Sequence, residues 1–122
     1  MTSDIAMAPT PTADVLARRF SDFDTLGEAL GYAAQGLRGL NFHDARATLT
    51  RVYSFADLRR DAVANAHRFV AAGIAKGDRV ALVAETSAEV APLFFGVVLA
   101  GAWPVPLPLP TSFGGKSSYV DQ

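Results

Sequence analysis

Four prolines stand at alternate positions near the end of the chain, Pro104, Pro106, Pro108 and Pro110, and they restrict what that stretch can become. Each lacks an amide proton and fixes its own φ, so no helix passes through them and Trp103 to Leu107 must be extended. Successive amides of a strand point to opposite edges, so every missing donor falls on one edge, while Val105 and Leu107 can pair on the other. The spacing predicts a strand with a single neighbour. The candidate partner is Val80-Ala81-Leu82-Val83-Ala84, a continuous apolar run of the kind buried on both faces of a sheet. Between the two runs, Thr86 or Ser87 can cap a helix reaching about Ala100, with Glu89 in its first turn, Pro92 near its start and Gly101 at its end. Strand, helix and strand in that order predict an α/β fold containing a right-handed βαβ crossover.

The prolines also dispose of a membrane span. Val90 to Pro110 carries no charge, but only its first half can be helical, about a dozen residues against the roughly twenty that cross a bilayer.

Upstream, Thr25 and Glu28 form a capping-box pair, Leu26, Ala29, Leu30 and Ala33 recur at helical spacing, and Gly36 can close the helix. Leu40 to His43 and Leu49 to Tyr53 read as a hairpin, with Thr50 and Val52 on one face and Arg51 and Tyr53 on the other. Ser54 caps the next helix and Asp57 places negative charge in its first turn. Its apolar stripe is Phe55, Leu58, Ala62, Ala66 and Phe69, and Gly73 ends it. A turn, Ala75-Lys76-Gly77-Asp78, then leads into the apolar strand.

With 122 residues, half of them hydrophobic, the chain has the size and composition of one small domain. Eleven Lys and Arg against twelve Asp and Glu, with the basic residues dispersed, leave no footprint for nucleic acid. The absence of cysteine removes disulfides, thiolate nucleophiles and cysteine zinc sites together. Met1 to Thr12 has no basic residue and no apolar core, so it reads as a flexible tail rather than a secretory signal.

Each candidate site has a plainer competitor. Gly114-Gly115-Lys116-Ser117 ends like a phosphate loop, but the glycine required five residues before Gly115 is Pro110. A glycine turn leading into a helix begun by Ser117 and Ser118 is the better reading. His43 beside Asp44 could be an oriented base and His67 could join it at a metal, yet neither sits in a ligand spacing. A hairpin end and a helix surface explain them. Asp78 and Arg79 after Gly77 could hold a ligand, although a turn at the solvent end of a strand accounts for all three. Trp103 could line a pocket, and ordinary packing outweighs that.

Three segments taken together say more. Tyr53-Ser54-Phe55-Ala56-Asp57-Leu58, then Gly73-Ile74-Ala75-Lys76-Gly77-Asp78-Arg79-Val80-Ala81, then Ala100-Gly101-Ala102-Trp103-Pro104-Val105-Pro106-Leu107 resemble, in order and spacing, the N-terminal region of adenylate-forming (AMP-binding) enzymes. These include acyl-CoA synthetases, fatty acyl-AMP ligases, luciferases and peptide-synthetase adenylation domains. Ser54-Phe55 and Asp57 replace a commoner Tyr and Glu, and Trp103 stands where a smaller residue is usual. The run Pro106 to Pro110 and the loop Phe113 to Lys116, leading to Tyr119, most nearly resemble fatty acyl-AMP ligases and long-chain acyl-CoA synthetases.

The resemblance implies the large domain of that superfamily and an ATP-dependent reaction, assisted by Mg2+, in which a carboxylate attacks the α-phosphate to give an acyl-adenylate and pyrophosphate. A fatty or other carboxylic acid would be the substrate, and coenzyme A or an acyl carrier protein the acceptor, in the cytoplasm. The family's phosphate loop, adenine- and ribose-binding motifs and C-terminal lysine have no counterpart in these residues. The expectation is therefore a flexible tail over 1–12 and an incomplete N-terminal portion of an adenylation domain over 13–122. It includes no catalytic, cofactor-binding or metal residue here, and inactivity of the chain alone. The competing expectation is a complete small α/β binding or interaction module without catalysis.

Overall fold

The structure is a computed structural model and describes residues 16–110. The proposed tail over residues 1–12 and the Gly114 to Tyr119 loop and helix lie outside the described residues. The chain divides into two compact units, residues 1–58 and 59–122.

In the first unit, helix α1 covers Leu26–Ala33. Thr25 caps it by accepting the Glu28 N–H at 3.1 Å, while the Glu28 carboxylate reaches back one residue further than the box predicts and accepts the Asp24 N–H at 3.1 Å. The helix ends before Gly36, and hydrogen-bonded turns from Gln35 and Gly36 to Tyr32 and Ala33 finish it. Strands β1, Gly39–His43, and β2, Leu49–Ser54, form the antiparallel hairpin. Its tip is organised by Asp44, whose carboxylate accepts the N–H groups of Arg46 and Thr48 at 2.8 and 2.9 Å, with Ala47 at φ 63°. The register shifts between Phe42 and His43, and the Thr50 hydroxyl donates to the Phe42 carbonyl at 3.0 Å. Arg51 stacks over Tyr53 with 4.0 Å between guanidinium carbon and ring centre, so these two share a face as the alternation predicts. Val52, on the other face, is exposed.

Helix α2, Phe55–Ala71, follows without a break. The Ser54 hydroxyl accepts the Asp57 N–H at 3.0 Å, the expected cap. Leu58 and Ala62 on its apolar stripe are fully buried. Gly73 ends the helix region at φ 100°.

The second unit contains the predicted crossover: β3, Arg79–Val83, helix α3, Val90–Leu99, and β4, Trp103–Leu107, with β3 and β4 paired in parallel from Arg79 opposite Trp103 to Val83 opposite Leu107. Among the described residues β4 pairs with β3 alone, as the alternating prolines require. Helix α3 packs on both strands. Two details differ from the sequence reading. The helix begins at Val90, not directly after Thr86 or Ser87, and has no side-chain cap. Pro92 gives the reason: only a start near Val90 keeps its missing N–H within the first turn, where amides have no helical partner. Strand β3 is not buried on both faces either; Val80 and Leu82 are half-buried, whereas Arg79, Ala81 and Val83 are exposed.

Among the described residues no helix is long and apolar enough to cross a membrane.

Candidate functional site

The candidate with the most geometry behind it is the Ala75 to Arg79 turn. Asp78 accepts the Ala75 N–H through its carboxylate at 2.8 Å and donates its own N–H to the Ala75 carbonyl at 3.1 Å. The Gly77 N–H donates to the Gly101 carbonyl at 2.9 Å, and the Trp103 N–H donates to the Asp78 carbonyl at 2.7 Å. These bonds close the turn on itself and fasten the start of β3 to the start of β4. Gly77, at φ 89°, and Gly101, at φ 83°, take left-handed conformations that suit glycine. Asp78 is thus engaged by backbone donors, and Arg79 stands exposed at the strand's solvent end. The turn is a structural clasp.

Trp103 is 64% exposed and therefore does not fill a core among the described residues, so the favoured reading of ordinary core or subdomain packing fails for the core. The apolar residues of β3 and α3 are covered unevenly. Val97 is fully buried, Leu82, Phe94, Phe95 and Val98 are half-buried, and Phe94 and Phe95 meet edge to face with ring centres 5.5 Å apart. Among the described residues of this unit, the large apolar side chains left exposed are Val70, Val83 and Trp103.

His43 ends β1 and His67 lies on α2, both exposed, as the plainer readings have it. Among the described residues no three His, Asp or Glu side chains gather to hold a metal. The Gly114 to Ser117 segment lies outside the described residues.

One cluster carries no sequence signature. Arg19 lies over Phe23 at 3.9 Å and near Tyr32 at 5.1 Å, while its Nε donates to Asp22 at 2.8 Å. That hydrogen bond raises the Arg19 pKa and lowers that of Asp22. Tyr32 in turn donates its hydroxyl to the Ala17 carbonyl. Nearby, a cavity of about 600 Å3 is lined by residues that include Leu16, Arg18, Tyr32, Arg38 and Phe55. Arg19, Asp22 and Phe23 are near neighbours in sequence, three and four residues apart, and Tyr32 is the member that the fold brings to them.

Nucleotide phosphates need several backbone N–H groups converging from a glycine-rich turn or a helix start. The three left-handed glycines cannot supply them: Gly73, Gly77 and Gly101 stand in separate turns and donate their N–H groups to Val70, Gly101 and Val98. None of these three turns therefore fits the phosphates of a nucleotide.

Comparison with known proteins gives a consistent result. The profile of the AMP-binding enzyme family matches residues 38–112. A Caulobacter vibrioides protein named as an acyl-CoA synthetase is 43% identical over 113 residues, 93% of this chain and 20% of its own length. A structure from work on fatty acyl-adenylate ligases of E. coli and L. pneumophila superposes with a TM-score of 0.77 at 42% identity, covering 83% of this chain and 18% of that one. A fatty acyl CoA synthetase of Mycobacterium tuberculosis gives 0.54 at 32% identity over 68% of this chain and 16% of its own. The chain thus spans about a fifth of the length of these relatives.

Proposed function

The chain belongs to the AMP-binding enzyme family, and from that premise we propose that it forms the N-terminal scaffold of an ATP-dependent ligase that converts a fatty acid to its acyl-adenylate. The observation that carries this reading is the 43% identity to the Caulobacter protein across 93% of the chain. It is supported by the likeness, at 42% identity, to a structure of the fatty acyl-adenylate ligases. Coenzyme A or an acyl carrier protein would accept the acyl group, Mg2+ would accompany ATP, and the reaction would run in the cytoplasm.

Residues 13–122 serve here as architecture. The Asp78 clasp sets the spacing of β3 and β4, and α3 covers one face of that pair. On this reading no residue of the chain has a catalytic, nucleotide or metal role, and the chain alone does not adenylate.

ATP–pyrophosphate exchange tests both statements. The 122-residue chain should give no exchange above background. A chimera in which it replaces the matching segment of the Caulobacter relative should exchange, with fatty acids preferred over short or amino acid carboxylates. Turnover by the chain alone, or a folded chimera that ignores fatty acids, would refute the proposal.

A further inference from the structure

The cavity of about 600 Å3 belongs to the first unit, and hydrogen bonds to backbone carbonyls hold its walls in place. The Tyr32 hydroxyl donates to the Ala17 carbonyl, which ties the stretch carrying Leu16 and Arg18 to the end of α1. The Phe55 N–H donates to the Arg38 carbonyl at 2.9 Å, which ties the start of α2 to the residue before β1. The two bonds gather lining residues as far apart in sequence as 16 and 55.

The lining divides by chemistry. Leu16, Ala33 and the ring-bearing Tyr32 and Phe55 supply apolar surface, and all four are half-buried. Arg18 and Arg38 supply two permanent positive charges, and none of the described lining residues is acidic. The carboxylates of Asp22 and Glu28 are engaged elsewhere, with Arg19 and with the Asp24 N–H. Arg18 forms no ion pair among the described residues; its guanidinium lies 5.6 Å from the Phe20 ring centre.

The volume is that of a small-molecule site, in which apolar walls surround a few polar groups that fix orientation. A guanidinium offers paired N–H donors that match two oxygens of a carboxylate or phosphate. A bare inorganic ion would leave the apolar walls wet, and a neutral alkyl compound would leave the cations unanswered. Only a molecule with both parts uses both halves of the lining.

We propose that this cavity binds a small amphiphilic anion, an apolar body with one carboxylate or phosphate head, the head meeting Arg18 and Arg38 and the body lying against Leu16, Ala33 and Phe55. The proposal goes beyond the functional reading above, which gives these residues an architectural part only, and does not depend on it.

Isothermal titration of the 122-residue chain tests it, with each ligand below its micelle concentration. Octanoate or octyl phosphate should bind one-to-one, and the stronger of the two identifies the head. Octanol, with the body and no charge, and inorganic phosphate, with charge and no body, should both bind at least tenfold more weakly. Two-dimensional amide NMR should place the perturbed signals around Ala33, Arg38 and Phe55.

Arg18→Gln, with an unchanged circular dichroism spectrum, should weaken the better anion at least fivefold, and Arg18→Lys should recover part of the loss. Leu16→Asp sets a carboxylate in the lining and should abolish binding. Arg46→Gln removes the same charge at the hairpin tip and should change nothing. Octanol binding as well as the anions, indifference to Arg18→Gln and Leu16→Asp alike, or an equal loss in Arg46→Gln overturns the proposal. So does sedimentation of the chain with phosphatidylglycerol vesicles when neither soluble anion binds, because a bilayer surface would then be the ligand. A chain that binds octanoate while the chimera exchanges no pyrophosphate would sink the adenylation reading and leave this site standing, and an active chimera built from a chain that ignores both anions would do the reverse.

Discussion

A methyl group at position 39 has no room. A Cβ on Gly39 would collide with the Tyr53 carbonyl oxygen and lie 2.7 Å from the Ser54 Cα, and both obstacles are backbone of the paired strand. The φ of Gly39 is not left-handed, so space rather than conformation demands glycine here. Because a strand backbone yields less than a side chain, Gly39→Ala should cost about 3 kcal/mol, the upper end for overpacking. Urea denaturation monitored by circular dichroism would measure it, and a loss under about 0.5 kcal/mol, the range of an indifferent surface change, would mean the hairpin is open. Neither constraint was legible in the sequence, where Arg38-Gly39-Leu40 looks like any glycine before a strand.

A second residue-scale effect depends on pH. Arg19 donates to Asp22 and holds its carboxyl below the ordinary value of 3.8. A depressed folded pKa means that the pair stabilises the fold above that unfolded value and that the contribution disappears as pH falls through the folded one. Both groups are exposed, so the gain is small. The direction can be read by carboxyl-carbon NMR: Asp22 should titrate below the ordinary value of 3.8, and Arg19→Gln should return it to that range. An unchanged Asp22 midpoint in that variant would show that the hydrogen bond does not form in solution.

At the scale of elements, legibility followed local chemistry. Ser54 and Thr25 announced two caps because a short polar side chain bonding a nearby amide needs no tertiary partner. The prolines announced β4 and its single neighbour for the same reason. What the sequence misjudged was non-local. The apolar run of β3 looks alike whether one face or two are covered, and the burial of Val97 against the exposure of Val83 depends on where α3 lies. Gly96 belongs to this class. A Cβ there would meet the Asn65 Cβ at 2.7 Å and the Ala62 carbonyl oxygen at 3.2 Å, so α3 rides directly on α2 at a point where only glycine fits. Gly96→Ala would improve intrinsic helix propensity by about 1 kcal/mol and still destabilise the chain by about 2 kcal/mol net, because the two helices must separate. A thermal melt showing stabilisation would prove the helix contact loose.

For the whole molecule, the functional reading came from three segments whose residues turn out to be a cap, a clasp and a strand. The Asp78 clasp explains why such a segment can mark a family without touching a substrate: its pattern is the one that fastens two parallel strands. Trp103 supplies the sharpest test of what this face is for. It is the only tryptophan and 64% exposed, and large aromatic side chains contribute most when water is removed from them. In the isolated chain Trp103→Lys should change stability by no more than about 0.5 kcal/mol, as for other surface substitutions. In the full-length chimera the same substitution should cost at least about 2 kcal/mol, because a charge would be forced under cover where an apolar ring belongs. Iodide should quench the Trp103 emission readily in the chain and poorly in a chimera whose other tryptophans are replaced by phenylalanine. If the substitution unfolds the chain and leaves the chimera untouched, the ring serves a local core, and the exposed face of β3 and β4 is not where the rest of a ligase is built on.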